Sequence, residues 1–151
     1  MDKVLKGTDA EKIRQLKDAA ENWEKAGDTR AENAKAEKND AAAKRGTNKN
    51  GEAGDAEDRS ADEENKASDN YSKAAKNWDK IAKSSGNQAE IESAEKKAKA
   101  ARQKAKEAKE RAAQAHERAG TDHGNNNDGQ KKAASLEKAA VEREELAEGN
   151  F

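Results

Sequence analysis

The chain has 151 residues, 42% of them charged, with 31 Lys and Arg set against 32 Asp and Glu. The apolar class is 31%, but 33 of those residues are alanine, which leaves 14 larger apolar side chains and a mean hydropathy of −1.47. So few β-branched and aromatic residues cannot cover a sheet, and no long apolar run exists, which excludes a β-sandwich, an α/β sheet enzyme and a transmembrane span.

Leu, Ile, Val and Phe number only 10, under the level of roughly 20% below which composition favours disorder. Two features act in the other direction. The charge is balanced, so the chain does not repel itself apart, and Ala, Lys, Glu, Gln and Arg dominate a sequence without proline, which favours helix. The absence of cysteine excludes disulfides, thiolate catalysis and cysteine-ligated zinc or iron–sulfur centres. The opening Met1-Asp-Lys-Val-Leu-Lys has no apolar core of a secretory signal, so a cytoplasmic protein is expected.

Five helices are predicted, at about 8–26, 29–45, 56–83, 88–119 and 131–148, within a single domain spanning 1–151. Four capping boxes support their starts: Thr8 with Glu11, Thr29 with Glu32, Ser60 with Glu63, and Asn87 with Glu90. The expected stops are Gly27-Asp28, the stretch 46–54, Ser84-Ser85-Gly86, and 120–130, where glycine would supply left-handed caps.

In the first segment Ile13, Leu16, Ala20 and Trp23 form one helical stripe. In the third, Ala67, Tyr71, Ala74, Trp78 and Ile81 do the same. The fourth carries the longest pattern: Ile91, Ala94, Ala98, Ala101, Ala105, Ala108, Ala112, Ala115 and Ala119 alternate spacings of three and four. That is a coiled-coil seam with alanine at nearly every core position. Methyl groups let helices approach closely but each buries little, so the seam sets geometry better than it stabilises. The expected anchors of this marginal core are Ile13, Leu16, Trp23, Tyr71, Trp78, Ile81, Ile91 and Leu136.

Charge is segregated along the chain. Residues 52–64 carry seven acids against one arginine, and residues 94–118 carry nine Lys or Arg against four Glu. A parallel homodimer through the basic segment would oppose like charges, whereas an antiparallel hairpin across Gly86 would place it against the acidic one.

Three segments echo one another: Ala19-Ala20-Glu21-Asn22-Trp23-Glu24-Lys25-Ala26-Gly27-Asp28, Ala74-Ala75-Lys76-Asn77-Trp78-Asp79-Lys80-Ile81, and Ala112-Ala113-Gln114-Ala115-His116-Glu117-Arg118-Ala119-Gly120. An aromatic helix ending in Lys-Ala-Gly-Asp and followed by another helix resembles tetratricopeptide-type repeats, notably those of the soluble NSF attachment proteins. The 34 residues from Gly86 to Gly120 match the length of such a repeat. The resemblance implies a scaffold of helical hairpins and a protein partner, and it carries over no site residue. By composition the chain also resembles late-embryogenesis-abundant proteins and other hydrophilins, which implies disorder in water and helix on drying or binding. The missing Pro and Cys and the repeated caps resemble designed helical proteins.

The two histidines, His116 and His123, are expected to be solvated, with Asp122, His123 and Asp128 in a loop after the fourth helix. They stand seven apart, two helical turns, but Gly120 is read as a break between them. The loop also fails the EF-hand pattern, since Gly124 stands at the first ligand position and Ser135 at the bidentate one. No glycine-rich phosphate loop occurs. The expectation is therefore no metal, no cofactor and no catalytic residue: a non-enzyme lacking the apolar walls a pocket needs. The basic helix has no aromatic residue to stack a base, so no nucleic-acid partner is expected. An alanine stripe would insert weakly into a membrane.

The fold class expected is all-α, with Ala-rich helical hairpins in a small bundle or short solenoid, partial disorder being the alternative state. The expected function is a non-catalytic helical scaffold, natural or designed, with a structural or protein-interaction role and partners or self-association through its helices. The alternatives are a disordered hydrophilin-type protectant and an attachment-protein-like adaptor.

Overall fold

A computed structural model describes the backbone of residues 2–151 and the side chains from Asp9 onward. The chain is an all-α bundle of four long antiparallel helices: α1 (Asp2–Gly46), α2 (Asn50–Ser84), α3 (Gln88–Asn125) and α4 (Gly129–Glu148). At 1.5 Å per residue, the 45 residues of α1 span about 68 Å. Each helix packs on its neighbour in sequence, and α1 and α3 meet only slightly. Short turns enforce this order. Thr47–Lys49 joins α1 to α2 and Asn126–Asp128 joins α3 to α4, in the same way: Asn48 and Asn127 take left-handed φ values of 60° and 58°. Lys49 N–H then reaches the carbonyl of Lys44, and Asp128 N–H that of His123, both at 2.9 Å. Asparagine tolerates this conformation better than most side chains.

Five helices were expected, and the described residues form four. The break at Gly27-Asp28 does not exist, because Gly27 serves a close approach rather than a turn. A Cβ there would stand 2.7 Å from the ring of Tyr71, which lies across the α1 backbone. Gly120 likewise lies inside α3, under the side chain of Leu136, where a Cβ would stand 2.8 Å from Cδ2. Three of the expected starts also fall within helices. Thr29 bonds back to the Lys25 carbonyl at 3.1 Å, and Ser60 donates across to the Ala34 carbonyl of α1 at 2.8 Å. The Thr8 side chain lies outside the described residues. Asn87 is a true N-cap, its Oδ1 accepting from Glu90 N–H at 3.1 Å. Asp128, unexpectedly, caps α4 by accepting from Lys131 N–H.

The alanine seam is the spine of the core. Ala94, Ala98, Ala101, Ala105, Ala108, Ala112, Ala115 and Ala119 are all buried, and Ile91 is half-buried. Ser68 on α2 donates to the Ala105 carbonyl at 2.8 Å, a bond possible only because no large side chain separates α2 and α3. The bulkier apolar groups collect toward the α2–α3 turn. There Trp78 and Ile81 are buried among Ala20, Ala74, Ala75, Ala94, Ala98 and Ala101, with Ile13, Leu16 and Trp23 packed partly buried against them. A second cluster joins Tyr71 to Ala67, Ala105 and Ala108, with Ala31 and Phe151 at its edges. Leu136 is not a core anchor: it is 42% exposed, lying over Gly120 at the edge of the α3–α4 contact.

The acidic stretch of α2 and the basic stretch of α3 do meet. Glu57 pairs with Arg118, and Glu64 with Arg111, the pairs running in antiparallel register. Arg102 and Lys104 lie outside that contact, pairing with Asp79 and Asp28 respectively.

Candidate functional site

Away from the aromatic end, the interior turns polar. Near the α1–α2 and α3–α4 turns, Glu57, Asp122, His116, His123, Ser135 and Glu142 are all buried. A buried charge is stable only with its partners in place. Two sets of partners are visible on opposite sides of α3.

The first set is ionic. Arg45, at the end of α1, holds Asp122 with both Nε (2.8 Å) and Nη2 (2.7 Å) and reaches Glu57 at 3.1 Å. Arg118 completes the group by pairing with Glu57. The hydrogen bonds to Asp122 hold the Arg45 proton more tightly than usual, against the opposing effect of burial. This quartet ties α1, α2 and α3 together at one level.

The second set contains both histidines, and the expectation that they are solvated is wrong. Because α3 continues through Gly120 to Asn125, residues 116 and 123 lie two turns apart on one face, and both side chains are enclosed. On α2, Asp55 and Asp58 are one turn apart; on α4, Ser135 and Glu142 are two turns apart, and these faces converge on the histidines. His123 Nε2 lies 3.0 Å from Asp58 Oδ2 and 3.7 Å from Asp55 Oδ1. Ser135 Oγ donates to Asp58 Oδ1 at 2.9 Å. Lys131 Nζ stands 3.3 Å from Asp55 Oδ1 at the exposed edge. His116 Nδ1 is 2.7 Å from Glu142 Oε1, and Asn65 Nδ2 donates to Glu142 Oε2 at 2.6 Å. His116 Nε2 points toward Asp58, 3.9 Å from Oδ1, and has no hydrogen-bond partner.

Close packing is needed here as well. The imidazole of His123 rests on Gly54, where a Cβ would stand 2.6 Å from Cε1. Of the loop residues first grouped with His123, neither joins it: Asp122 turns to Arg45, and Asp128 caps α4. The carboxylates that do join it, Asp55, Asp58 and Glu142, come from other helices. The available signal in the sequence was the seven-residue spacing of the histidines, masked by a glycine that breaks nothing.

Asp55, Asp58 and His123 can each offer a metal ligand atom, all within 4.8 Å of one another. Of the expected anchors, none takes part in this centre. Comparison of the chain with known protein families, characterised proteins and solved structures gives no match. Among the described residues, no helix is long and apolar enough to cross a membrane.

Proposed function

We propose that the chain is a non-catalytic helical scaffold with a structural or protein-interaction role. The observation that supports this reading is the disposition of its charged groups. Glu57, Glu64 and Glu142, the buried glutamates, are each engaged by Arg or His from another helix. A catalytic carboxylate instead needs a face free to meet a substrate.

Two grooves run along the bundle. One, of about 410 Å³, lies between α1 and α3 and is lined by Ala31, Lys35, Lys38, Glu64 and Arg111 among others. The other, of about 400 Å³, lies between α2 and α4 and is lined by Asn65, Lys109, Val141 and Glu142 among others. Charged side chains line most of both, their aliphatic stems supplying apolar surface, and no Trp, Tyr or Phe ring is present to enclose a small substrate. Partners would meet the helix faces, where Leu136 and Val141 of α4 are the large apolar groups most exposed among the described residues.

Far-UV circular dichroism of the dilute full-length protein, read with tryptophan emission, tests the proposal. The expected result is a helical spectrum, one cooperative melt, and emission shifted to the blue by the burial of Trp78. A coil spectrum that becomes helical only on drying or in alcohol would overturn the scaffold and favour the hydrophilin-type protectant.

A further inference from the structure

We infer that the buried histidine–carboxylate centre between α2, α3 and α4 is a zinc-class divalent metal site, with His116 Nε2, His123 Nε2, Asp58 and Asp55 as ligands. The inference goes beyond the scaffold reading, which stands with or without a metal.

Three independent features carry it. The first is spacing. Ligand atoms around a tetrahedral zinc at about 2.0–2.1 Å stand roughly 3.3 Å apart. Here the separations are 3.0 Å for His123 to Asp58, 3.7 Å for His123 to Asp55 and 3.9 Å for His116 to Asp58. The ligand atoms of Asp55, Asp58 and His123 already lie within 4.8 Å of one another, while His116 Nε2 stands outside that group, 3.9 Å from the other Asp58 oxygen, and has to turn inward to complete it.

The second is the unpartnered Nε2 of His116, which faces the carboxylates, whereas the other unpartnered ring nitrogen, His123 Nδ1, lies against Gly54. The carboxylate of Glu142 only accepts, so His116 Nδ1 carries a proton, and Nε2 faces Asp58. With no protein donor between Nε2 and that carboxylate, the gap is suited to a second proton on the ring or to a metal ion, and the spacing of the other ligands selects the metal. His116 is 1% exposed, so bulk water does not supply a partner.

The third is support behind the ligand. A metal-bound histidine commonly donates its other ring N–H to a carboxylate, which fixes the tautomer and the ring plane. His116 has this arrangement with Glu142, which is itself held by Asn65. Ser135 plays the same part for Asp58. The charge also fits. Asp55 and Asp58 place two carboxylates at the centre, and Lys131, whose side chain is 56% exposed, is free to swing into solvent when an ion arrives. With all four ligands supplied by protein, such a site is structural. It would fasten the short α4 to the α2–α3 hairpin.

The test is calorimetric titration of chelator-treated full-length protein with Zn2+, together with a thermal melt and the visible absorption of the Co2+-loaded form. The expected result is one Zn2+ per chain, a higher melting temperature, and cobalt bands of a four-coordinate site. Glu142→Gln should weaken Zn2+ binding by about 10–100-fold, because it removes the support behind His116 rather than a ligand. His116→Gln should abolish the cobalt bands. Where that variant does not fold, Asp55→Asn at the exposed edge is read instead and should also weaken binding at least tenfold. No Zn2+ binding by the wild type, or binding unaltered in the readable ligand variant and equally served by Mg2+, would overturn the site in favour of a purely hydrogen-bonded histidine pair.

Discussion

Gly27→Ala provides the sharpest test of how the helices pack. In a solvated helix this change stabilises by about 1 kcal/mol, because alanine is the best helix former and glycine among the worst. Gly27 is buried instead, and the new Cβ would stand 2.7 Å from Tyr71 Cε1 and 2.9 Å from both Cδ1 and Cζ. Carbon atoms pack best at about 3.5–4.0 Å, so three ring contacts fall well inside that distance. The ring cannot swing away without loss, since its hydroxyl donates to Asp28 Oδ1 and its faces are covered by Ala67, Ala105 and Ala108. Overpacking of this kind costs about 1–3 kcal/mol. With three contacts this short, the upper half of that range applies, so a net destabilisation of about 1–2 kcal/mol remains after the gain in propensity. For a chain of this length that lowers the melting temperature by about 2–8 °C. Gly46→Ala is the internal control, since nothing lies within 4 Å of its added Cβ, and it should be neutral or stabilising. Melts followed at 222 nm compare the two variants. A rise for Gly27→Ala equal to that for Gly46→Ala would refute the close approach of α1 and α2.

Two further outcomes are expected. Trp78→Ala should destabilise by about 3 kcal/mol, near the low end for a buried tryptophan because its Nε1 is enclosed without an acceptor; urea unfolding measures it, and a loss under about 1 kcal/mol would show that the aromatic cluster is not an anchor. Tyr71, the sole tyrosine, should titrate above the ordinary phenol value of about 10, first because it is buried and second because Asp28 accepts its proton in a hydrogen bond. A phenol whose folded pKa is raised contributes stability that is complete below the unfolded value and is lost as pH climbs toward the folded one. Stability should therefore fall above about pH 10, and a tyrosinate absorbance midpoint at the free-phenol value would contradict the burial.

The sequence makes part of this architecture legible. The three–four spacing from Ile91 to Ala119 identifies a continuous helix with one buried face, because periodicity depends only on which residues share that face. The attraction between the start of α2 and the middle of α3 is also visible as opposite blocks of charge. Individual partners are not. Arg45 and Asp122 lie 77 positions apart, and nothing local in either segment points to the other. Glycine is the main source of error. Gly27, Gly54 and Gly120 read as punctuation, yet each sits inside a helix where a ring or a leucine crosses the backbone. A glycine that ends a helix and one that admits a neighbour are identical in one dimension. Misreading Gly120 displaced His123 from a helix to a loop and hid the histidine pair.

A core made mostly of methyl groups raises the question of what selects one register. An alanine seam that repeats every seven residues would look nearly the same to α2 after a slide of one heptad, so apolar contacts alone discriminate weakly. The features that do not repeat supply the discrimination. Ser60 and Ser68 each bond one particular carbonyl on a neighbouring helix. The ring of Tyr71 fits only where α1 has a glycine, and the imidazole of His123 only where α2 has one. The Arg45 fork meets two buried carboxylates, of which Asp122 would otherwise stand desolvated and unpaired. The Arg45 side chain is 40% exposed, so its loss costs less than the breaking of a fully buried pair, yet a buried carboxylate left without its partner still costs about 1–3 kcal/mol, more than the roughly 0.8 kcal/mol of a buried alanine methyl. In this bundle the small residues set how closely the helices approach, while the buried polar groups and the glycine–ring contacts set where along their length they meet.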